Sequence, residues 1–167
     1  LKYSADNRLI QAVPNFPRVK GKTTVTKRDY FPMDEYKLLV STIEEMASEG
    51  VKVRGVPVTL EFKYLVQFMV NSFIRPSDLR VLRHSHIVVK DRPDEASPLY
   101  QHYLLLTHPA TKTTDQEVVT MPAAYRYYQK LLALQKKRGY GEGHQFLAYP
   151  EYPNRTTMMN VLSRLFR

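Results

Sequence analysis

The stretch that decides the fold is "NSFIRPSDLRVLRHSHIVVK", residues Asn71 to Lys90. It places Arg75 between the end of an almost wholly apolar helical segment and Pro76, which cannot continue that helix. An arginine in packed surroundings is unfavourable unless an anionic group faces it. The position therefore indicates either a buried ion pair or a phosphate held by the guanidinium, and the rest of the chain has to distinguish them.

Two helices are predicted before this corner. Residues 32–50 repeat apolar side chains at helical spacing, with acids in the first turn and Gly50 after the last turn. The apolar positions are Tyr36, Leu39, Val40, Ile43, Met46 and Ala47. The segment Val58 to Ile74 is apolar on most sides, which is typical of a helix buried between neighbours, and Thr59 is its expected N-cap. Pro76, suited to a first helical position, predicts a sharp bend followed by a short helix.

Three short stretches after the corner are rich in β-branched and aromatic residues: "HIVVK", "LYQHYLLLTH" and "EVVTMP". They predict a small antiparallel sheet, after which residues 123–138 return to a helical pattern. A final helix is expected from the N-cap Asn154, with Met158, Val161, Leu162 and Leu165 on its apolar face. The predicted fold class is α+β and mainly helical, with helices packed around a small three-stranded antiparallel sheet. Residues 1–30 are expected to form a linker or arm, and residues 31–167 the domain.

The composition of the chain restricts the classes of molecule that it is expected to bind. The 167 residues are 43% hydrophobic and carry a net charge of +9, which favours nucleic acid or another anionic partner. Absence of cysteine excludes disulfide scaffolds and thiolate metal sites, and permits a reducing cytosolic compartment. No signal peptide or apolar run of spanning length occurs, so no membrane role is expected. Because Leu1 is not an initiator Met and "MMNVLSRLFR" stops within a helical pattern, we expect a fragment of a longer protein.

At this point the motifs resemble a known family. The run "FIRPSDLRVLRHSHI", three strands whose second turn holds "TKT", and then "EVVTMP" with a helix are similar to the catalytic domain of tyrosine recombinases, the phage integrase family. In this resemblance Arg75 matches the first catalytic Arg, Asp78 the acidic residue three positions later, and Lys112 the β-turn Lys. It covers roughly residues 28 to 167, the first two-thirds of such a domain. The Arg motif alone is weak, but Arg, acid, turn Lys and element order together are more specific.

The sequence also departs from the family pattern. His84 and His86 stand where an aromatic residue and an acid are often found, and Met121 replaces a common Val. The family's His-x-x-Arg box and nucleophilic Tyr are not found in these 167 residues, and none of the twelve tyrosines is assigned that role. The resemblance therefore implies a truncated catalytic domain that by itself binds DNA weakly and cuts nothing.

The resemblance implies site-specific DNA cleavage and rejoining through a phosphotyrosyl intermediate, without metal or other cofactor. Arg75 would hold non-bridging oxygens of the scissile phosphate, because a planar bidentate donor suits a phosphorane. Lys112 would protonate the leaving 5′-oxygen, and Asp78 would orient Arg75 and offset its charge.

Expected partners and location follow from the same resemblance. Double-stranded DNA would be contacted by Lys112, Thr111, Thr113 and Arg155, and the intact parent would self-associate on DNA. The parent would be a cytoplasmic, nucleoid-associated protein of a prokaryote or phage.

Other interpretations of the same residues stay open. Arg75 could be a structural residue that bridges Asp78 and helix-end carbonyls, and Lys112 could be a solvated turn residue. His84 and His86 could face one metal ion, but no third ligand accompanies them. The whole chain could be a non-catalytic basic DNA-binding module, or a degenerate relative that binds DNA without cleavage.

Overall fold

The computed structural model describes residues 31–93, 96–108 and 116–166. Within these ranges the order of helices and strands is the one that the sequence predicts, with one added hairpin. The elements are α1 (Met33–Ser48), β1 (Lys52–Val53), β2 (Val56–Pro57), α2 (Leu60–Ser72), β3 (Ile87–Asp91), β4 (His102–His108), β5 (Gln116–Val119), α3 (Pro122–Lys137) and α4 (Arg155–Leu165).

The first two helices form where predicted, and each boundary has a local cause. Gly50 follows α1 with a φ of 70°, a conformation that glycine adopts without steric cost. The Thr59 side chain caps α2 by accepting a hydrogen bond from the Phe62 N–H at 3.4 Å. An ion pair of 2.7 Å between Lys63 and Glu44 links the two helices.

The two-residue strands β1 and β2 form a hairpin that the sequence did not predict. Its turn residues, Arg54 and Gly55, have φ values of 50° and 80°, and positive φ at both positions is the signature of a type I′ turn. Strands this short carry no alternation of apolar and polar residues that could have revealed them.

The three-stranded sheet is antiparallel, as predicted, with β4 between β3 and β5. Leu104 and Leu106 of β4 are fully buried on one face, against α3, as the alternation of side chains along a strand requires. The Thr120 hydroxyl accepts a hydrogen bond from the Leu104 N–H at 3.0 Å. This contact ties the end of β5 to the middle of the sheet.

The last two helices also match the prediction. Asn154 caps α4 by accepting hydrogen bonds from two backbone N–H groups, those of Thr156 and Thr157. All four residues predicted for its apolar face are buried, namely Met158, Val161, Leu162 and Leu165. The fully buried core side chains come from α2, α3, α4, the sheet and the segments that join them; they include Phe68, Leu65, Leu79, Leu82, Leu131 and Leu147.

The short helix predicted after Pro76 differs in type and length from an α-helix. The short helix expected to start at Pro76 is only a 3₁₀ turn, Asp78–Arg80, and a second 3₁₀ turn, His84–His86, precedes β3. Leu79, within the first turn, and Leu82, two residues after it, are fully buried. The helix does not continue because only the Leu82 N–H bonds to a carbonyl four positions back, that of Asp78, whereas the next two N–H groups bond to the His86 ring and the Gln145 carbonyl.

The described residues therefore form an α+β fold with four α-helices and two small antiparallel sheets. The predicted arm, residues 1–30, lies outside the described ranges. No helix in the described part of the chain combines the length and apolar character needed to cross a bilayer.

Candidate functional site

The corner at Arg75 is built by three successive residues. Phe73 ends α2 in the left-handed conformation, with a φ of 59°, while its N–H still bonds to the Met69 carbonyl. Ile74 is buried, and Pro76 disfavours a helical conformation for the residue before it. Arg75 consequently leaves the helix at a bend that lies between the buried Ile74 and the buried Asp78.

Arg75 is exposed, whereas Asp78 is buried. The Asp78 carboxylate accepts a hydrogen bond from the Arg75 backbone N–H at 3.1 Å and one from the Ser77 hydroxyl at 3.4 Å. Within the described residues the Arg75 guanidinium forms no ion pair and no hydrogen bond. Asp78 thus contacts the backbone of the corner, and the guanidinium is presented to solvent.

Lys112, Thr111 and Thr113 lie outside the described residues, so their predicted roles stay predictions. The two residues that flank the segment 109–115 are described, and they lie side by side, because His108 pairs with Gln116 at the end of the β4–β5 ladder. The start of β3 lies at this same end of the sheet, since Ile87 pairs with Leu106. The strand that follows the corner therefore begins beside the two strand ends that flank residues 109–115.

Arg155 has a well-defined structural role. Its guanidinium donates hydrogen bonds to four backbone carbonyls, at distances of 2.8 to 3.3 Å; these belong to Arg80, Ala148, Tyr149 and Tyr152. Burial lowers the pKa of Arg155 to about 10. Its predicted contact with DNA stays a prediction, but most of its donors are already engaged.

Arg155 and Arg83 also contact the same aromatic ring. Their guanidinium carbons lie 4.1 Å and 4.4 Å from the centroid of Phe146. Arg83 donates in addition to the His144 carbonyl, so the loop containing His144 is held against the chain that follows the corner. Together with the hydrogen bond from Arg155 to the Arg80 carbonyl, these contacts connect the start of α4 to the chain between Arg80 and Arg83.

A second polar cluster lies near the opposite end of α2 and was not predicted. Gln135 of α3 is fully buried, and its Nε2 donates to Glu61 Oε1 at 3.0 Å and to the Leu147 carbonyl at 2.6 Å. Its Oε1 lies 2.8 Å from His84 Nε2, and His84 Nδ1 lies 3.3 Å from the Tyr128 hydroxyl. We call these four side chains, Glu61, Gln135, His84 and Tyr128, the buried network.

Glu61 connects the buried network to charged residues. It accepts hydrogen bonds from the Tyr149 N–H at 3.2 Å and from Arg138, which also contacts Glu151 Oε1 at 3.3 Å. Burial raises the pKa of Glu61, opposed by the hydrogen bond from Gln135 and the charge of Arg138. Every polar contact to this carboxylate is an N–H donor, which favours its ionised form in this arrangement.

His84, the histidine of the buried network, binds a proton less readily than a free histidine. Burial lowers the pKa of His84, and the charge of Lys136 acts in the same direction, whereas the hydrogen bond with Gln135 opposes both. His86, two residues later, accepts from the Arg83 N–H at 3.2 Å through Nδ1. The described residues contain no group of three or more potential metal ligands, so the two histidines face no such cluster.

Sequence reasoning missed the buried network for an identifiable reason. Neither Glu61 nor Gln135 was expected to belong to a site. A signal was present: Gln135 follows Leu131 by four positions and therefore lies on the same buried face of α3. A neutral polar residue on an apolar face indicates a buried partner, but the partner itself comes from a distant segment.

No protein-family model, curated protein or solved structure matches this chain. A functional assignment consequently depends on the chain's own residues: the exposed Arg75 at its bend, the basic charge, and the motifs around them.

Proposed function

We propose that this chain is part of the catalytic domain of a tyrosine-type site-specific DNA recombinase, and that Arg75 binds the scissile phosphate. The observation that carries the proposal is the exposed Arg75 guanidinium, unpaired within the described residues, at a bend between the buried Ile74 and Asp78. A structural Arg would instead be expected to use its donors within the protein, as Arg155 does.

The charge and geometry of the corner support an anionic ligand. Asp78 is engaged by the Arg75 N–H and the Ser77 hydroxyl, so it stiffens the bend that carries the guanidinium. The whole chain has a net charge of +9, which attracts a polyanion from a distance. A planar guanidinium can donate two parallel hydrogen bonds to a phosphate, and an ammonium group cannot reproduce that geometry.

The reaction assigns separate tasks to the residues. A tyrosine oxygen attacks the phosphorus and forms a phosphotyrosyl bond, while the bond to the 5′-oxygen breaks and that oxygen takes up a proton. Arg75 stabilises the charge that develops on the non-bridging oxygens, and Lys112 supplies the proton. The Tyr nucleophile, a second Arg and a His would come from sequence outside these 167 residues.

Binding of duplex DNA by this chain at several salt concentrations tests the first half of the proposal. We expect steep salt dependence with little sequence preference, because phosphate contacts release counterions. Arg75→Ala should reduce the slope of log affinity against log salt by about 1, as expected for loss of one phosphate contact. Arg54→Gly is the matched control: it removes one exposed Arg near the other end of α2 and suits the positive φ of that position.

The outcomes separate the candidate functions. Binding without salt dependence, or equal slopes for Arg75→Ala and Arg54→Gly, would contradict the phosphate role of Arg75. Normal binding combined with no cleavage by a full-length parent would instead support the non-catalytic DNA-binding module.

A further inference from the structure

Phe73 is a bulky aromatic residue at a position where helices usually carry glycine. It follows α2 as its C-cap, with a φ of 59° and a ψ of 13°, in the left-handed region. This conformation is unfavourable for a residue with a large side chain, and glycine or asparagine is the usual residue at such a helix end. Gly50, which follows α1 with a φ of 70°, is an example in this chain. The presence of phenylalanine at this point therefore requires an explanation.

Packing of the Phe73 side chain in the core does not explain it, because Phe73 is 67% exposed. Two other described residues besides glycine have a positive φ, namely Arg54 and Tyr149. Arg54 belongs to the turn of the β1–β2 hairpin, which requires this conformation, and Tyr149 is only 5% exposed, so the burial of its ring offsets the strain. Phe73 has neither compensation, and a strained residue with an exposed side chain is typical of a binding site.

Two further exposed apolar residues belong to the same end of α2. Val70 is 49% exposed and precedes Phe73 by three positions, a spacing that places both on one side of the helix. Met121 is 47% exposed, and its N–H donates to the Asn71 carbonyl at 2.9 Å, which holds it beside the end of α2. We call Val70, Phe73 and Met121 the corner patch. The corner therefore presents apolar surface as well as charge.

The corner patch adjoins Arg75. One residue separates Phe73 from Arg75, so their Cα atoms are at most about 7.6 Å apart. That residue, Ile74, is 6% exposed, whereas both of its neighbours are exposed. An aromatic ring and a guanidinium are thus presented to solvent within one short bend of the chain.

A nucleotide offers one group for each of these side chains. Its phosphate suits a guanidinium, and the flat face of its base suits an aromatic ring, whichever base it is. In a paired duplex the neighbouring bases cover these faces, whereas an unstacked base leaves its face accessible. The net charge of +9 makes a polyanion a better match to this apolar surface than an uncharged protein partner.

We propose that Phe73 stacks on an unstacked DNA base next to the phosphate that Arg75 binds. This inference rests on the proposed function and extends the corner from phosphate binding to contact with the adjoining base. Apolar side chains that enter a base step interrupt its stacking, and DNA that is already opened requires no such work. The corner therefore prefers DNA with a locally opened helix over a fully paired duplex, without preference for sequence.

A duplex with a central bubble of mismatched thymines, compared with the same duplex fully paired, tests this preference by fluorescence anisotropy. We expect the chain to bind the bubble about tenfold more tightly, which is within the usual contribution of one stacked base. Phe73→Leu keeps an apolar residue but lacks a flat ring, so it should lose most of the preference, whereas Phe73→Tyr should keep it. Equal binding of the two DNAs, or an unchanged preference in Phe73→Leu, would overturn the proposal.

Phe166→Leu is the matched control for loss of an aromatic ring. Phe166 is also exposed, and its ring lies 5.0 Å from that of Phe62, near the other end of α2. This variant should keep the preference for the bubble. An equal loss in Phe166→Leu and Phe73→Leu would contradict a specific contact at the corner.

Phe73→Gly distinguishes a binding role from a structural one. Glycine adopts the left-handed conformation without steric cost, so the melting temperature should stay the same or rise by about 2–4 °C. The preference for the bubble should be lost at the same time. A lower melting temperature would show that the ring stabilises the fold, and the assigned role would be wrong.

Salt dependence separates a failure of this inference from a failure of the proposed function. Stacking releases no counterions, so Phe73→Leu should weaken binding of the bubble without changing the slope of log affinity against log salt, whereas Arg75→Ala should reduce that slope by about 1. An altered slope in Arg75→Ala without any effect of the ring would overturn the base contact alone. A ring-dependent preference with an unaltered slope would overturn the phosphate role of Arg75 alone, and no binding of either DNA at low salt would overturn both.

Discussion

The polar residues at the two ends of α2 differ in burial and in hydrogen bonding. At the C-terminal end, Arg75 is exposed and its guanidinium is unpaired within the described residues. Near the N-terminal end, Glu61 is 4% exposed and Gln135 is fully buried, and both are surrounded by hydrogen-bond partners. The same helix thus connects a charge available to a ligand with a carboxylate engaged by the protein.

This difference indicates what each region contributes. A buried polar group is stabilising only while its partners are present, so the buried network is a feature of stability and of core specificity. An exposed guanidinium adds little to stability, so replacing Arg75 should change folding only slightly. Substitutions should therefore separate the two regions into one that affects activity and one that affects folding.

The largest expected effect concerns catalysis by a full-length recombinase of the kind proposed. Arg75→Ala should slow formation of the covalent DNA complex about 100- to 1,000-fold, because one donor to the developing charge is lost. The free energy of unfolding should change by less than about 0.5 kcal/mol, as for other exposed sites. Cleavage of a suicide DNA substrate and urea denaturation measure the two quantities, with Arg54→Gly as control. A large loss of stability would show that Arg75 is structural.

The next largest effect is a loss of folding stability when the buried network near the N-terminal end of α2 is disrupted. Gln135→Leu should lower the free energy of unfolding by about 3 kcal/mol, because Glu61, His84 and the Leu147 carbonyl each lose a partner in the core. Urea denaturation measures it, and DNA affinity of the folded variant should be unchanged. Gln129→Leu on the exposed face of α3 is the matched control. Equal stabilities of the two variants would mean that the buried network contributes nothing to folding.

A smaller effect is expected at the N-cap of α4. Asn154→Ala should cost about 1 kcal/mol, since two backbone N–H groups lose their acceptor. The same substitution at the exposed Asn160, within the helix, should cost less because Asn160 caps nothing. Thermal denaturation of both variants would show whether α4, which carries Arg155, depends on its cap.

The smallest effect is a pH dependence of folding. Burial lowers the pKa of His84, so between the usual value of about 6.5 and the lower folded value the unfolded chain binds more protons than the folded chain. The free energy of unfolding should therefore fall as the pH drops below about 6.5. Glu61, with its raised pKa, acts in the opposite sense at more acidic pH. Comparison with His84→Asn isolates the histidine, and identical pH profiles of the two proteins would contradict its role.

The helices and the three-stranded sheet could be predicted because their signals are local. The caps Thr59 and Asn154, the stop at Gly50 and the β-branched stretches each act within a few residues, and the structure places elements at those positions. The bend at Arg75 was likewise predictable, since Pro76 restricts the residue before it. The helix expected after Pro76 is limited to the 3₁₀ turn Asp78–Arg80, because the N–H groups of Arg83 and His84 bond to the His86 ring and to the distant Gln145 carbonyl instead.

The sequence by itself determined the element order, the basic charge and the bend that carries Arg75, since each depends on residue types and short spacings. Only the tertiary structure decided that Gln135 meets Glu61, 74 positions away, and that Arg155 gives its donors to the carbonyls of Arg80 and Ala148. It also decided that the Tyr149 hydroxyl and Glu151 Oε2 are buried without a hydrogen-bond partner among the described residues. Such pairings depend on which distant segments pack together, and no local pattern specifies the partner of a buried polar group.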